Sequence, residues 1–164
     1  MKKFFLPLLI ITVIAQISVP IYQIADKYNV LKNGEEVKIK VAPIDPYDAF
    51  RGRYVSLWYD IDIDYEYRQG RYGILETDED GFATIKKVVS ERPDSGLYIK
   101  SRDEDYFNIP LDRFYMEETL APEAEKQLSG EAEAYVTVRI KGDKAVISGL
   151  YINGIRAEEM LKHN

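Results

Sequence analysis

Four acids recur at every second residue along one stretch: Asp60, Asp62, Asp64 and Glu66. On an extended chain, side chains two apart point the same way, so these carboxylates form a row with neighbours about 7 Å apart. Such a row could offer oxygen ligands to a hard cation such as calcium, but calcium sites are built from ligands that converge out of a bent loop. A straight row reads better as a solvated face, or as one paired with Lys38 and Lys40, which share a face of their own strand. A second group precedes it. Asp45, Asp48, Arg51 and Arg53 surround Gly52, in a loop that opens with Pro43 and Pro46. A guanidinium fork closing on a loop carboxylate would fix the loop's shape, and the same fork could hold an anion. Tyr54 and Trp58 lie on the same face as the acidic row, where large aromatics form a contact patch unless a second layer covers them. Arg113 beside Glu117 and Glu118 admits the same two readings as the upstream arginines.

Several chemistries have no members. The chain has no cysteine, which removes disulfides, thiol nucleophiles and thiolate metal sites. Its one histidine, His163, sits next to the C-terminus, so neither a Ser-His-Asp triad nor a histidine zinc site has a credible component. No catalytic residue, metal or cofactor is expected. The chain carries −6, and setting aside Lys2 and Lys3, which precede every acid, the remainder carries −8. A body of that charge repels phosphate backbones, so no nucleic-acid partner is expected. A hydrolase using paired carboxylates or a Ser–Lys pair is the alternative; it requires a pocket that joins those groups.

These residues need elements to position them. Residues 55–67 alternate, with Val55, Leu57, Tyr59, Ile61, Ile63, Tyr65 and Tyr67 on one face and Trp58 and the acids on the other. This predicts one strand of about 45 Å, long enough to demand a bend or bulge and to serve two sheets in turn. Residues 37–41, 72–77, 82–89, 97–100, 133–141 and 145–150 read as further strands. Short ones are expected at 107–111 and 114–116. Turns are expected at 78–81, 93–96, 142–144 and 153–154, a short helix at 121–128, and a closing segment at 155–159. The thirteen tyrosines fit a β-rich core. The predicted fold is mainly β: an antiparallel sandwich or partly open barrel with at most one short helix.

Gly52-Arg53-Tyr54, Leu57 and Tyr59 resemble the motif Gly-Asp-Tyr-x-x-Leu-x-Tyr, which names the GDYXXLXY family of bacterial membrane-anchored proteins. Upstream, Pro43-Ile44-Asp45-Pro46 and Arg51-Gly52 match that pattern, as do the segment 111–118 and the hairpin of 145–154; together the likeness covers most of residues 30–157. The departure is Arg53, where the motif has Asp, so no role that needs a carboxylate there carries over. The resemblance implies no established activity. It implies an extracytoplasmic domain on one anchor, and a polytopic membrane protein as partner.

The anchor is legible on its own. Residues 4–22 are apolar except for Thr12, Gln16 and Ser18, and as a helix would measure about 28 Å, close to the hydrocarbon core of a bilayer. Pro7 suits a first helical turn, and Pro20 is expected to kink or end the helix. Lys2 and Lys3 ahead of it place the N-terminus in the cytoplasm and the rest outside. No small-x-small cleavage site follows, which favours a retained anchor over a cleaved signal. The expected organisation is an anchor or uncleaved signal over 1–25, a linker over 26–33 and an extracytoplasmic domain over 34–164, single-pass in the cytoplasmic membrane. The expected function is an interaction or ligand-binding module whose surface comprises Asp45, Asp48, Arg51, Gly52, Arg53, Tyr54 and Trp58.

Overall fold

The computed structural model describes residues 2–42, 54–59, 69–104, 106–115, 117, 124 and 133–160. Its first element is a helix, α1 (Lys2–Asn33), of 32 residues, or about 48 Å. Pro20 does not end it, and residues 26–33, expected as a linker, are its last two turns. The reason lies in the far end. Val30 is only 2% exposed, and full burial of a valine contributes about 1.5–3 kcal/mol, so packing carries the helix past the point where sequence signals would stop it. Gly34 ends it, with its N–H donating to the Val30 carbonyl (2.8 Å). Residues 6–25 are exposed throughout, and the helix is long and apolar enough to cross a membrane.

Among the described residues ten strands follow: β1 (Glu35–Ala42), β2 (Tyr54–Ser56), β3 (Trp58–Tyr59), β4 (Tyr72–Thr77), β5 (Ala83–Val89), β6 (Tyr98–Lys100), β7 (Arg113–Tyr115), β8 (Ala134–Lys141), β9 (Lys144–Ile152) and β10 (Ile155–Arg156). A short helix, α2 (Ala157–Met160), follows β10. The protein is mainly β. Among the described residues its antiparallel strands form a five-stranded sheet in the order β10-β9-β8-β1-β3, a pair β2-β7, and a three-stranded sheet β5-β4-β6, and they do not close into a barrel. Alternation gives the central sheet its buried side: Val37, Ile39 and Val41 from β1, Val136, Val138 and Ile140 from β8, Leu150 and Ile152 from β9. Leu75, Ala83, Val88 and Ile99 from the three-stranded sheet join the same core. A register shift between Thr137 and Val138 marks a bulge in the β8–β9 pair. Asn153 (φ 51°) and Gly154 (φ 78°) form the tight turn into β10, both in the left-handed region that Asn and Gly tolerate best.

One further expectation changes. Residues 107–111 are not a strand but a loop whose alternate residues Phe107, Ile109 and Leu111 plug the core. Burial gave them a strand-like pattern without strand pairing. The long alternating stretch is interrupted at Leu57 and serves two sheets in turn, as expected: β2 pairs with β7 and β3 pairs with β1. Its continuation over 60–67, with the acidic row, lies outside the described residues, as does the helix expected over 121–128 apart from Ala124, which is helical and fully buried.

Candidate functional site

The interruption at Leu57 explains the Leu-x-Tyr part of the motif. Leu57 is 6% exposed, and its N–H donates to the Asp112 carbonyl (2.9 Å). Tyr59 is buried, and its hydroxyl donates to the Leu111 carbonyl. Burial, with the Asp112 charge beside it, pushes the Tyr59 phenol above its ordinary range. Both side chains point inward and clamp the crossing segment onto residues 111–112, as the alternation predicted. Trp58 between them points outward and is 71% exposed, so no second layer covers it among the described residues.

Trp58 pairs with Ala42 at the far end of β1, on the edge strand of the central sheet. β1 leaves Gly34, so Trp58 stands about 26 Å along the strand from the end of α1. Of the other residues expected in the site, Tyr54 is placed by its backbone, in β2 opposite Tyr115. Asp45, Asp48, Arg51, Gly52 and Arg53 lie outside the described residues.

A groove of about 420 Å³ opens at the helix side of the domain. Lys27 of α1, Arg102, residues 110–115 and residues 145–147 line it. Arg102 Nη2 lies 3.5 Å and Arg113 Nε 3.7 Å from opposite oxygens of Asp112. The described lining thus holds three cations, Lys27, Arg102 and Arg113, and one carboxylate, Asp112, which lies between the two guanidinium groups. Arg113 thus has Asp112 as one partner; Glu118, expected beside it with Glu117, lies outside the described residues.

Two further clusters were not visible in the sequence. Lys38 and Lys40 hold their ammonium groups over aromatic rings: Lys38 5.2 Å from the Phe82 centroid and 5.9 Å from that of Tyr135, Lys40 5.4 Å from that of Phe82. Tyr135 stacks on Tyr151 (5.0 Å, 3°) across β8 and β9. The second cluster surrounds the β8–β9 turn, where Asp143 accepts from the Tyr98 hydroxyl (2.9 Å) and pairs with Arg92 (3.0 Å) and Lys100 (3.8 Å). The hydrogen bond to Tyr98 and the Asp143 charge raise the Arg92 guanidinium further. Either cluster needed the hairpin register in advance, because its members lie far apart in the chain.

The same hairpin fastens the domain to α1. Lys144 pairs with Asp26, and that hydrogen bond and charge hold its ammonium above the usual lysine range. Lys141 Nζ donates to Asn29 Oδ1 (3.0 Å), and Arg139 Nη1 donates to the Gly34 carbonyl (3.1 Å). Among the described residues, no group of three or more acids or histidines is placed to hold a metal ion.

Fold and site define a β domain fixed to the end of a long apolar helix, with an outward tryptophan and a groove lined in part by residues 110–115, onto which the segment carrying that tryptophan is bonded. The chain belongs to the GDYXXLXY protein family, whose family model matches residues 16–150. No curated protein and no solved structure matches it.

Proposed function

We propose that this chain is a single-pass, membrane-anchored interaction module whose β domain lies outside the cytoplasm and works with a polytopic membrane protein. The observation that carries the reading is the junction. One helix runs without a break from a wholly exposed apolar segment to the domain, where Val30 in its last turn is buried. An exposed apolar segment of that length is stable only in lipid or against another protein. A continuous helix, unlike a flexible tether, sets the height and orientation of the domain above the bilayer. That suits a domain that must meet a membrane-embedded partner in one geometry. Lys2 and Lys3 before the segment support the extracytoplasmic side.

Trp58 is the surface residue we assign to partner contact. Large exposed aromatics are the side chains that most often anchor protein interfaces, and Trp58 carries no evident structural task, unlike its neighbours Leu57 and Tyr59. The test is purification of the full chain from its own membranes in mild detergent. A membrane protein should co-purify in fixed ratio with the wild type and be lost with Trp58→Ala, while the variant keeps the wild-type melting temperature. Retention of that protein by folded W58A would refute the assigned surface.

A further inference from the structure

Resting on the membrane-anchored reading, we infer that Gln16 is a helix-to-helix contact inside the bilayer, and that the segment it meets belongs to a different protein lying beneath the β domain. Gln16 is about 15 Å along the helix from Asp26 and about 20 Å from Lys3, which places its side chain near mid-depth of a ~30 Å core. The two hydroxyls of the same segment are satisfied within the helix. Thr12 donates to the Leu8 carbonyl (2.9 Å) and Ser18 to the Ile14 carbonyl (2.7 Å). Gln16 has no such bond among the described residues, and it is exposed. Its amide brings two donors and a carbonyl acceptor. Leaving them unpaired in hydrocarbon is costly, and pairing across helices is how membrane proteins satisfy such groups.

The face on which Gln16 lies selects the occupant. Gln16, Gln23 and Val30 are seven residues apart, so they share one side of α1 with a drift of only about 20° per step. Val30 is the residue buried against the domain. Half a turn round, Ile14, Ile21 and Tyr28 form the opposite line, and Tyr28 is 63% exposed, on the side away from the domain. The Gln16 face therefore runs into the bilayer directly below the β8–β9 hairpin. A second copy of this chain, packed in parallel through that face, would bring its own residues 26–33 into the volume that this hairpin fills. A segment that ends or turns at the bilayer surface meets no such obstacle. The occupant is accordingly another membrane protein, offering an amide, carboxyl or hydroxyl at mid-depth and roofed by this domain.

Photo-crosslinking of the full chain in its own membranes tests this, with a benzophenone residue placed singly at Thr12, Gln16, Ile14 or Ile21. Thr12 and Gln16 should yield one discrete adduct with a second membrane protein, its crosslinked peptide inside a membrane span, and Ile14 and Ile21 should not. With the probe at Thr12, Gln16→Leu should lower the adduct yield about three- to tenfold, and Gln16→Asn should retain more of it. An adduct of two copies of this chain, or lipid adducts alone from both faces, overturns the inference. Alkaline extraction of each variant separates the two levels. A chain that stays in the membrane without the adduct defeats this inference alone, whereas a chain released from the membrane defeats the anchored reading beneath it.

Discussion

Tyr59→Phe removes one hydroxyl and nothing else, and the structure says what that hydroxyl does. It donates to the Leu111 carbonyl from a buried position, closing the segment that crosses between sheets. The variant loses a hydrogen bond and leaves a buried acceptor unpaired, for a cost of about 1–3 kcal/mol. For a domain of this size that is a fall of very roughly 3–10 °C in melting temperature. The pH dependence supplies the sharper test. The folded Tyr59 phenol holds its proton more tightly than an unfolded tyrosine does. Its contribution is thus intact below an ordinary tyrosine pKa of about 10 and is lost as pH rises above it. The gap between wild type and Y59F should be constant up to about pH 9.5 and then close by up to about 1.4 kcal/mol per pH unit. Urea unfolding of the full chain in detergent micelles at intervals from pH 7 to 11 measures it. Parallel stability curves for the two proteins across that range would contradict the clamp.

Other expectations follow from close approaches and from exposure. A Cβ on Gly34 would stand 2.5 Å from the Val30 carbonyl oxygen and 3.0 Å from that of Ile140, both backbone atoms. Gly34→Ala should therefore cost about 1–3 kcal/mol and raise hydrogen exchange selectively in the last turns of α1. A Cβ on Gly73 would strike the ring of Phe107, which is 2% exposed, so Gly73→Ala should destabilise by a similar amount in thermal melts. Trp58→Ala should change stability by no more than about 0.5 kcal/mol, because the side chain is largely in solvent. A loss of several kcal/mol would assign Trp58 to the fold and withdraw it from partner contact.

The sequence was legible where local pattern and tertiary packing agree. Alternation located β1, β4, β5, β8 and β9, and it assigned Leu57 and Tyr59 inward and Trp58 outward. Turn residues at 78–81, 142–144 and 153–154 fell where the chain reverses. It failed where distant packing decides. Nothing near residue 26 announces that α1 continues, since the stabilising contacts come from β8 and β9, more than a hundred residues on. The period of 107–111 came from burial in a loop, and periodicity does not distinguish that from a strand. The groove gathers Lys27, Arg102, Asp112 and residues 145–147 from four separate stretches, so no spacing along the chain could reveal it.

The proposed function requires above all that α1 span a bilayer and carry the β domain on the outer side, and the absence of native cysteine makes this directly measurable. A single cysteine in place of Tyr106, an exposed residue of the β domain, can be challenged with a membrane-impermeant maleimide in intact cells. The chain should stay with the membrane through alkaline extraction and take up the label without lysis. Recovery in the soluble fraction, or labelling only after the cells are opened, would contradict it.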